Sequence, residues 1–208
     1  EEDGWVILGG GDSGIVNVSG TIDASGDDAG EAGGEISVTG KTLFSSGTLN
    51  VEGQTDGGKV NLDAEVIINS GSIKANGNEG NGGNVEIGFT RNYQAMEASI
   101  ISANGTGGNG GSILIDGGSV GRLFTSGSHT TTSSGGIGGS LELFGNEVLL
   151  VAARLDASGD NGGGAINIGG DYQGQGTVTL SSYTKVTTST TIISDARING
   201  DGGQVVVW

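Results

Sequence analysis

The acids of this chain are the first place to look for chemistry. Asp23, Asp27, Asp28, Glu31 and Glu35 crowd one stretch, and Asp156 and Asp160 another. Adjacent carboxylates such as Asp27 and Asp28 suit glycoside hydrolysis when one is held protonated and the other ionised, and clustered oxygen ligands suit calcium. Solvated turns explain the same residues, and the nonapeptide calcium pattern fails because Gly107-Gly108-Asn109-Gly110-Gly111-Ser112 has Ser where it needs Asp. No metal or cofactor is expected. The sole histidine, His129, stands in a Thr/Ser run and reads as an exposed loop residue. With no cysteine and no second histidine, nucleophilic triads and His/Cys metal clusters have no partners. Arg154 reads as a charge flanking a strand, and Lys185 has no catalytic company. A second kind of site gathers around Asp171, Tyr172, Gln173, Gln175 and Tyr183, where aromatic faces and amides suit a sugar. An extra coil or a packed structural excursion is the simpler reading of that stretch.

What positions these residues is a repeat. Of 208 residues, 46 are Gly and none is Pro, a bias that signifies disorder unless it is periodic. Here it is periodic. Gly-Gly followed by alternating apolar residues occurs at Gly33-Gly34-Glu35-Ile36-Ser37-Val38, Gly57-Gly58-Lys59-Val60-Asn61-Leu62 and Gly82-Gly83-Asn84-Val85-Glu86-Ile87. Four more copies begin at Gly110, Gly138, Gly163 and Gly202. Measured at the second Gly, the intervals are 24, 25, 28, 28, 25 and 39 residues. Ahead of most copies lies a second element, as in Ile22-Asp23-Ala24-Ser25-Gly26, Ile73-Lys74-Ala75-Asn76-Gly77 and Ile101-Ser102-Ala103-Asn104-Gly105. A third shows where Glu65-Val66-Ile67-Ile68 is laid beside Glu147-Val148-Leu149-Leu150.

Period-two alternation buries one face of a strand, and three short strands per 24–28 residues describe one coil of an all-β, right-handed parallel β-helix. Ile36, Val60, Val85, Ile113, Leu141, Ile166 and Val205 should then form one inward column, their i+2 neighbours a second, and Ala24, Ala75, Ala103 and Ala157 a narrow third. The lack of Pro follows, because interior strands need every N–H. Gly is expected where the coil turns with positive φ or where successive turns crowd. The long last interval predicts an insertion or an extra coil over 171–197.

A net charge of −16 argues against nucleic acid, bound through its phosphates, or anionic lipid as partner. No apolar run is long enough to span a membrane, so no membrane insertion is expected. The chain reads as one β-helical segment, 1–208, of a longer protein.

Residues 155–176 and 198–208, with Gly169-Gly170-Asp171-Tyr172-Gln173-Gly174 and Gly200-Asp201-Gly202-Gly203-Gln204-Val205-Val206-Val207-Trp208, resemble the repeat region of filamentous-haemagglutinin-like exoproteins. These are the secreted partners of two-partner secretion systems in Gram-negative bacteria and cyanobacteria. The match is close over 147–208 and generic before it. That resemblance implies a secreted, non-enzymatic shaft of a cell-surface or matrix adhesin, exported through an outer-membrane transporter, contacting surface glycans or matrix polysaccharide and self-associating into fibres. The family's secretion domain carries Asn-Pro-Asn, which a chain without Pro lacks. The alternative from a different class is a carbohydrate-active β-helix enzyme, a lyase or hydrolase, or a glycan-binding module.

Overall fold

The computed structural model describes residues 4–174 and 178–208. The chain winds as a parallel β-helix, and its strands fall on three faces. The first face stacks eight strand segments. Trp5–Gly9 is followed by the leading parts of Glu35–Ser45, Lys59–Asn69 and Asn84–Ala95, then by Ser112–Asp116, Ser140–Phe144, Ala165–Ile168 and Gln204–Val207. The second face begins with Ile15–Val18, continues through the trailing parts of those same three long strands, and ends with Arg122–Thr125, Glu147–Leu150 and Tyr183–Val186. The third face holds Thr21–Asp23, Thr48–Asn50, Ser72–Lys74, Ile100–Ser102, Ser128–Thr130, Arg154–Asp156 and Thr191–Ile193. Every strand pairing is parallel, and each joins a strand to its counterpart one coil away. Successive coils therefore lie about 4.8 Å apart along the axis.

The register agrees with the sequence pattern. Ile36 lies on Val60, Val60 on Val85, Val85 on Ile113, Ile113 on Leu141, Leu141 on Ile166 and Ile166 on Val205. Of that column only Val205 departs from burial, at 45% exposed, because no coil lies beyond it. The second column runs from Val38 through Leu62, Ile87, Ile115 and Leu143 to Ile168, all buried, and ends on the exposed Val207. On the third face Ala24, Ala75, Ala103 and Ala157 are buried in one narrow column that Val51 and Thr131 also occupy.

The glycine pairs owe their identity to crowding and not to a left-handed backbone, since no member of the seven pairs has positive φ. The second Gly of each pair closes its own coil, as where the Gly34 N–H donates to the Ala24 carbonyl at 2.8 Å and Gly111 N–H to Ala103 at 2.8 Å. A Cβ on Gly111 would run into the Gly83 carbonyl of the coil below, and one on Gly110 into the Thr131 carbonyl. Both obstacles are backbone, so neither can swing aside. Gly111→Ala is therefore expected to cost about 3 kcal/mol, the upper end of overpacking penalties. Gly20→Ala, where nothing lies within 4 Å of the new Cβ, should stay within about 0.5 kcal/mol. Urea melts of the two variants compare them, and equal losses would refute the crowding account.

The corner between first and second faces is the variable one. It is a bend inside a continuous strand in three coils, a short turn in three others, at 10–14, 117–121 and 145–146, and the stretch 169–182 in the last. Tyr183–Val186 and Thr191–Ile193 pair with Glu147–Leu150 and Arg154–Asp156. The residues 171–197 thus divide. The excursion is confined to the corner before Tyr183, and the rest completes the second and third faces of the last coil.

Candidate functional site

Asp171, Tyr172 and Gln173 lie on this excursion. The Asp171 carboxylate accepts the Tyr172 N–H at 2.7 Å and the Gln173 amide donates to the Tyr172 hydroxyl at 3.3 Å, while Gln173 itself takes φ 54°. Gly170 and Gly174 have no room for a Cβ because the Trp208 indole lies against both, with Leu180 alongside. The Gly-Gly-Asp-Tyr-Gln-Gly string and the terminal Trp are thereby one packing unit. Tyr172 remains 55% exposed beside it. Gln175 lies outside the described residues.

Tyr183 belongs to a different surface, the outward side of the second face, where it extends the column Val66, Asn92, Arg122 and Glu147. No ring contact joins it to Tyr172 among the described residues. The neighbouring outward column carries Phe44, Ile68, Gln94, Phe124 and Leu149. Side chains two apart on a strand share a face, so these columns run side by side along the axis. Between them is an open recess of about 380 Å³ lined by Ile68, Gln94, Phe124, Leu149, Asn92 and Arg122. Arg122 is held by Glu147, Nε to Oε2 at 2.8 Å. An apolar floor with amides and charges at its edge suits a ligand that has both apolar faces and hydroxyls.

The acids are mostly engaged in turns. Asp23 accepts from the Ser25 hydroxyl at 2.7 Å and the Ser25 N–H at 3.1 Å, and from Asn50 at 3.0 Å. Those bonds, the Ser25 hydroxyl first, hold its carboxyl below the usual range. Asp156 accepts the Ser158 N–H at 3.0 Å and pairs with Arg154 at 2.6 Å, while Asp160 pairs with Arg197 at 3.0 Å. Among the described residues no three of His, Cys, Asp and Glu come together as a metal would need. Asp63, Glu86 and Asp116 do line one shallow recess of about 400 Å³ with Asn61 and Gly88. A longer trough of about 770 Å³ follows the stacked glycine pairs from Gly4 to Gly139, its rim carrying Trp5, Glu35, Lys59 and Asn84.

His129 overturns the loop expectation. It is the middle residue of the strand Ser128–Thr130, fully buried, stacked between Ile101 and Leu155. Its Nε2 lies 2.7 Å from the Thr125 hydroxyl, and Nδ1 has no partner. Burial alone pushes its pKa down to about 4, so the imidazole is neutral at physiological pH. It sits in a polar seam where the second face turns into the third. There Ser45, Asn69 and Thr125 point inward, the Asn69 amide donates to Ser99 at 2.8 Å, and Tyr93 is buried with its hydroxyl pKa raised. Sequence reading missed this seam because Ser, Thr and Asn suggest loops. The offset from Gly-Gly was the available signal, since His129 and Ile101 both stand ten residues ahead of a second Gly, Gly139 and Gly111.

Fold and surface together define a β-solenoid with shallow, axially running recesses. Comparison with protein-family models, with curated proteins and with solved structures finds no match to this chain.

Proposed function

We propose that this chain is a non-catalytic shaft of a secreted cell-surface or matrix adhesin, whose outward faces make weak, repeated contacts with a glycan or another surface polymer. The carrying observation is the outward side of the second face, where Phe44, Ile68, Phe124 and Leu149 form one column, interrupted by Gln94, beside a column that carries Asn92, Arg122 and Tyr183. A linear polymer laid along the axis meets an apolar side chain in four of the five coils from Phe44 to Leu149, with a second outward side chain of varying polarity beside it. Contact per step is small on an open surface, so avidity along a rod supplies the affinity. The family resemblance supports secretion through an outer-membrane transporter of the two-partner type.

Glycan arrays followed by titration of residues 1–208 test the reading. Phe124→Ala and Tyr183→Ala are expected to weaken binding about tenfold, near 1.4 kcal/mol each, whereas Tyr172→Ala reports on the excursion instead. Binding that survives Phe124→Ala and Tyr183→Ala moves the site away from the second face.

The enzymatic alternative would act in the recess shared by Asp63, Glu86 and Asp116. Turnover of acidic polysaccharides that vanishes in Asp63→Asn or Asp116→Asn would replace the adhesin reading.

A further inference from the structure

We propose that the polymer met by the second face is acidic, a linear polysaccharide whose carboxylates are taken by Arg91 and Arg122. The inference rests on the glycan reading of that face and names the chemical class of the glycan. The chain as a whole is acidic, yet this face is not. Its strands, with the corner residue that precedes each, carry Lys41, Arg91, Arg122 and Lys185 against Glu65 and Glu147. Four bases against two acids leave the surface at +2, whereas the rest of the chain holds the other four bases and 22 acids. A ligand in contact with the face meets that local charge most strongly, because exposed charges farther off than a Debye length, about 8 Å at physiological ionic strength, are largely screened.

Two of these cations stand beside the apolar column. Where the bend in Asn84–Ala95 meets the turn 117–121 of the next coil, an open recess of about 420 Å³ is lined by Thr90, Arg91, Asn92, Val120 and Arg122. Asn92 and Arg122 also line the recess that holds Ile68, Phe124 and Leu149, so the two adjoin. In a chain with 24 acids, no carboxylate lines either one. Both guanidiniums keep donors free. Arg122 gives only its Nε to Glu147, and the Glu65 carboxylate paired with Arg91 lies 3.9 Å from Nη1, beyond hydrogen-bonding length. Their side chains are 64% and 65% exposed. A guanidinium fork presents paired N–H groups that match a carboxylate, and the neighbouring apolar floor receives the sugar ring that carries it.

The shape of the face favours a single extended chain over a protein. Its outward strip is two side chains wide and six coil spacings long, about 29 Å. So narrow a strip falls well short of the roughly 800 Å² that each partner gives to a standard protein interface. Single-stranded nucleic acid, the other common linear polyanion, is held by stacking successive bases on aromatic side chains. Phe44 and Phe124 stand three coils apart in their column, about 14 Å, too far for neighbouring bases.

Titration calorimetry of residues 1–208 in buffer free of divalent ions tests the assignment, with oligogalacturonate and its fully methyl-esterified form as probes. The two share a backbone and differ in charge. The acid form is expected to bind about tenfold more tightly, as one charge-assisted pair would give. That advantage should fade as NaCl rises from about 0.1 to about 1 M, which shortens the Debye length from about 10 to about 3 Å. Arg91→Gln and Arg122→Gln should each remove most of the difference between the probes, and Lys59→Gln on the first face should leave it intact. Circular dichroism checks that the variants keep the parent fold. Equal affinity for both probes, still weakened by Phe124→Ala, overturns the acidic assignment and leaves the glycan reading standing. Binding of neither probe overturns the proposal, and the glycan reading is then decided by the arrays alone. Dextran sulfate or oligothymidylate bound through Arg122 as tightly as oligogalacturonate would mark a surface for any polyanion and overturn the choice of a carboxylate polysaccharide.

Discussion

Ile113→Asp is expected to unfold the central coils at room temperature. Ile113 is fully buried, with Val85 below it and Leu141 above. Removing a large aliphatic side chain from such a site costs about 2–5 kcal/mol, and the carboxylate left in its place finds no partner, adding several kcal/mol more. The sum rivals the roughly 5–15 kcal/mol by which a whole domain is stable. A solenoid coil owes its stability to its neighbours, so the damage spreads to the coils on either side. Ser112→Ala is the matched control. Its half-buried side chain faces outward and gives up one hydrogen bond, to the Asn84 side chain at 2.9 Å, worth about 1 kcal/mol. Thermal melts that move equally for the two variants would refute the register.

The second large effect is on the pH dependence of stability and comes from His129. In the folded chain its pKa is lowered to about 4 by burial, whereas in the unfolded chain it titrates near 6.5. Between those values the unfolded state binds a proton that the folded state refuses, so acid favours unfolding. Full stability is present above pH 6.5, declines as pH falls, and is lost by about pH 4, a total of about 3 kcal/mol. Below that the loss stays constant. His129→Leu suits a column otherwise built of Leu49, Ile73, Ile101 and Leu155. The variant should match or exceed the parent at pH 7 and lack this component of the acid slope. Carboxylates titrate in both proteins and cancel in the difference. Parallel stability-versus-pH curves for parent and variant would show that His129 is not the group responsible.

Period-two alternation after each Gly-Gly made the first face legible from sequence, down to which residue lies on which. The Ala column was legible for the same reason, since a fixed offset from the glycines survives changes in the corners. His129 was not, because hydroxyl residues around it mask a strand whose inward positions are polar. Ser45, Asn69, Thr125 and Thr131 are likewise inward and buried, and no binary apolar/polar rule places them there. The candidate sugar site was read from residue type alone, and the structure puts Tyr172 on an excursion and Tyr183 on a sheet. The column through Phe44, Ile68, Gln94, Phe124 and Leu149 went unnoticed because successive members are 24 to 30 residues apart and meet only through the ladder. Gly-Gly crowding was half legible. Sequence allowed two causes, and the backbone angles leave one.

The glycine corner repeats without change while the corner between first and second faces absorbs bends, turns and a whole excursion. Heredity can act on such an arrangement in units. Copying the stretch from one Gly-Gly pair to the next, in frame, is expected to add one coil and about 4.8 Å of length while leaving every other contact in place. Slippage between neighbouring gene segments thus adjusts the reach of the rod by increments, as links adjust a chain, and novelty can be tried at the tolerant corner without retuning the core.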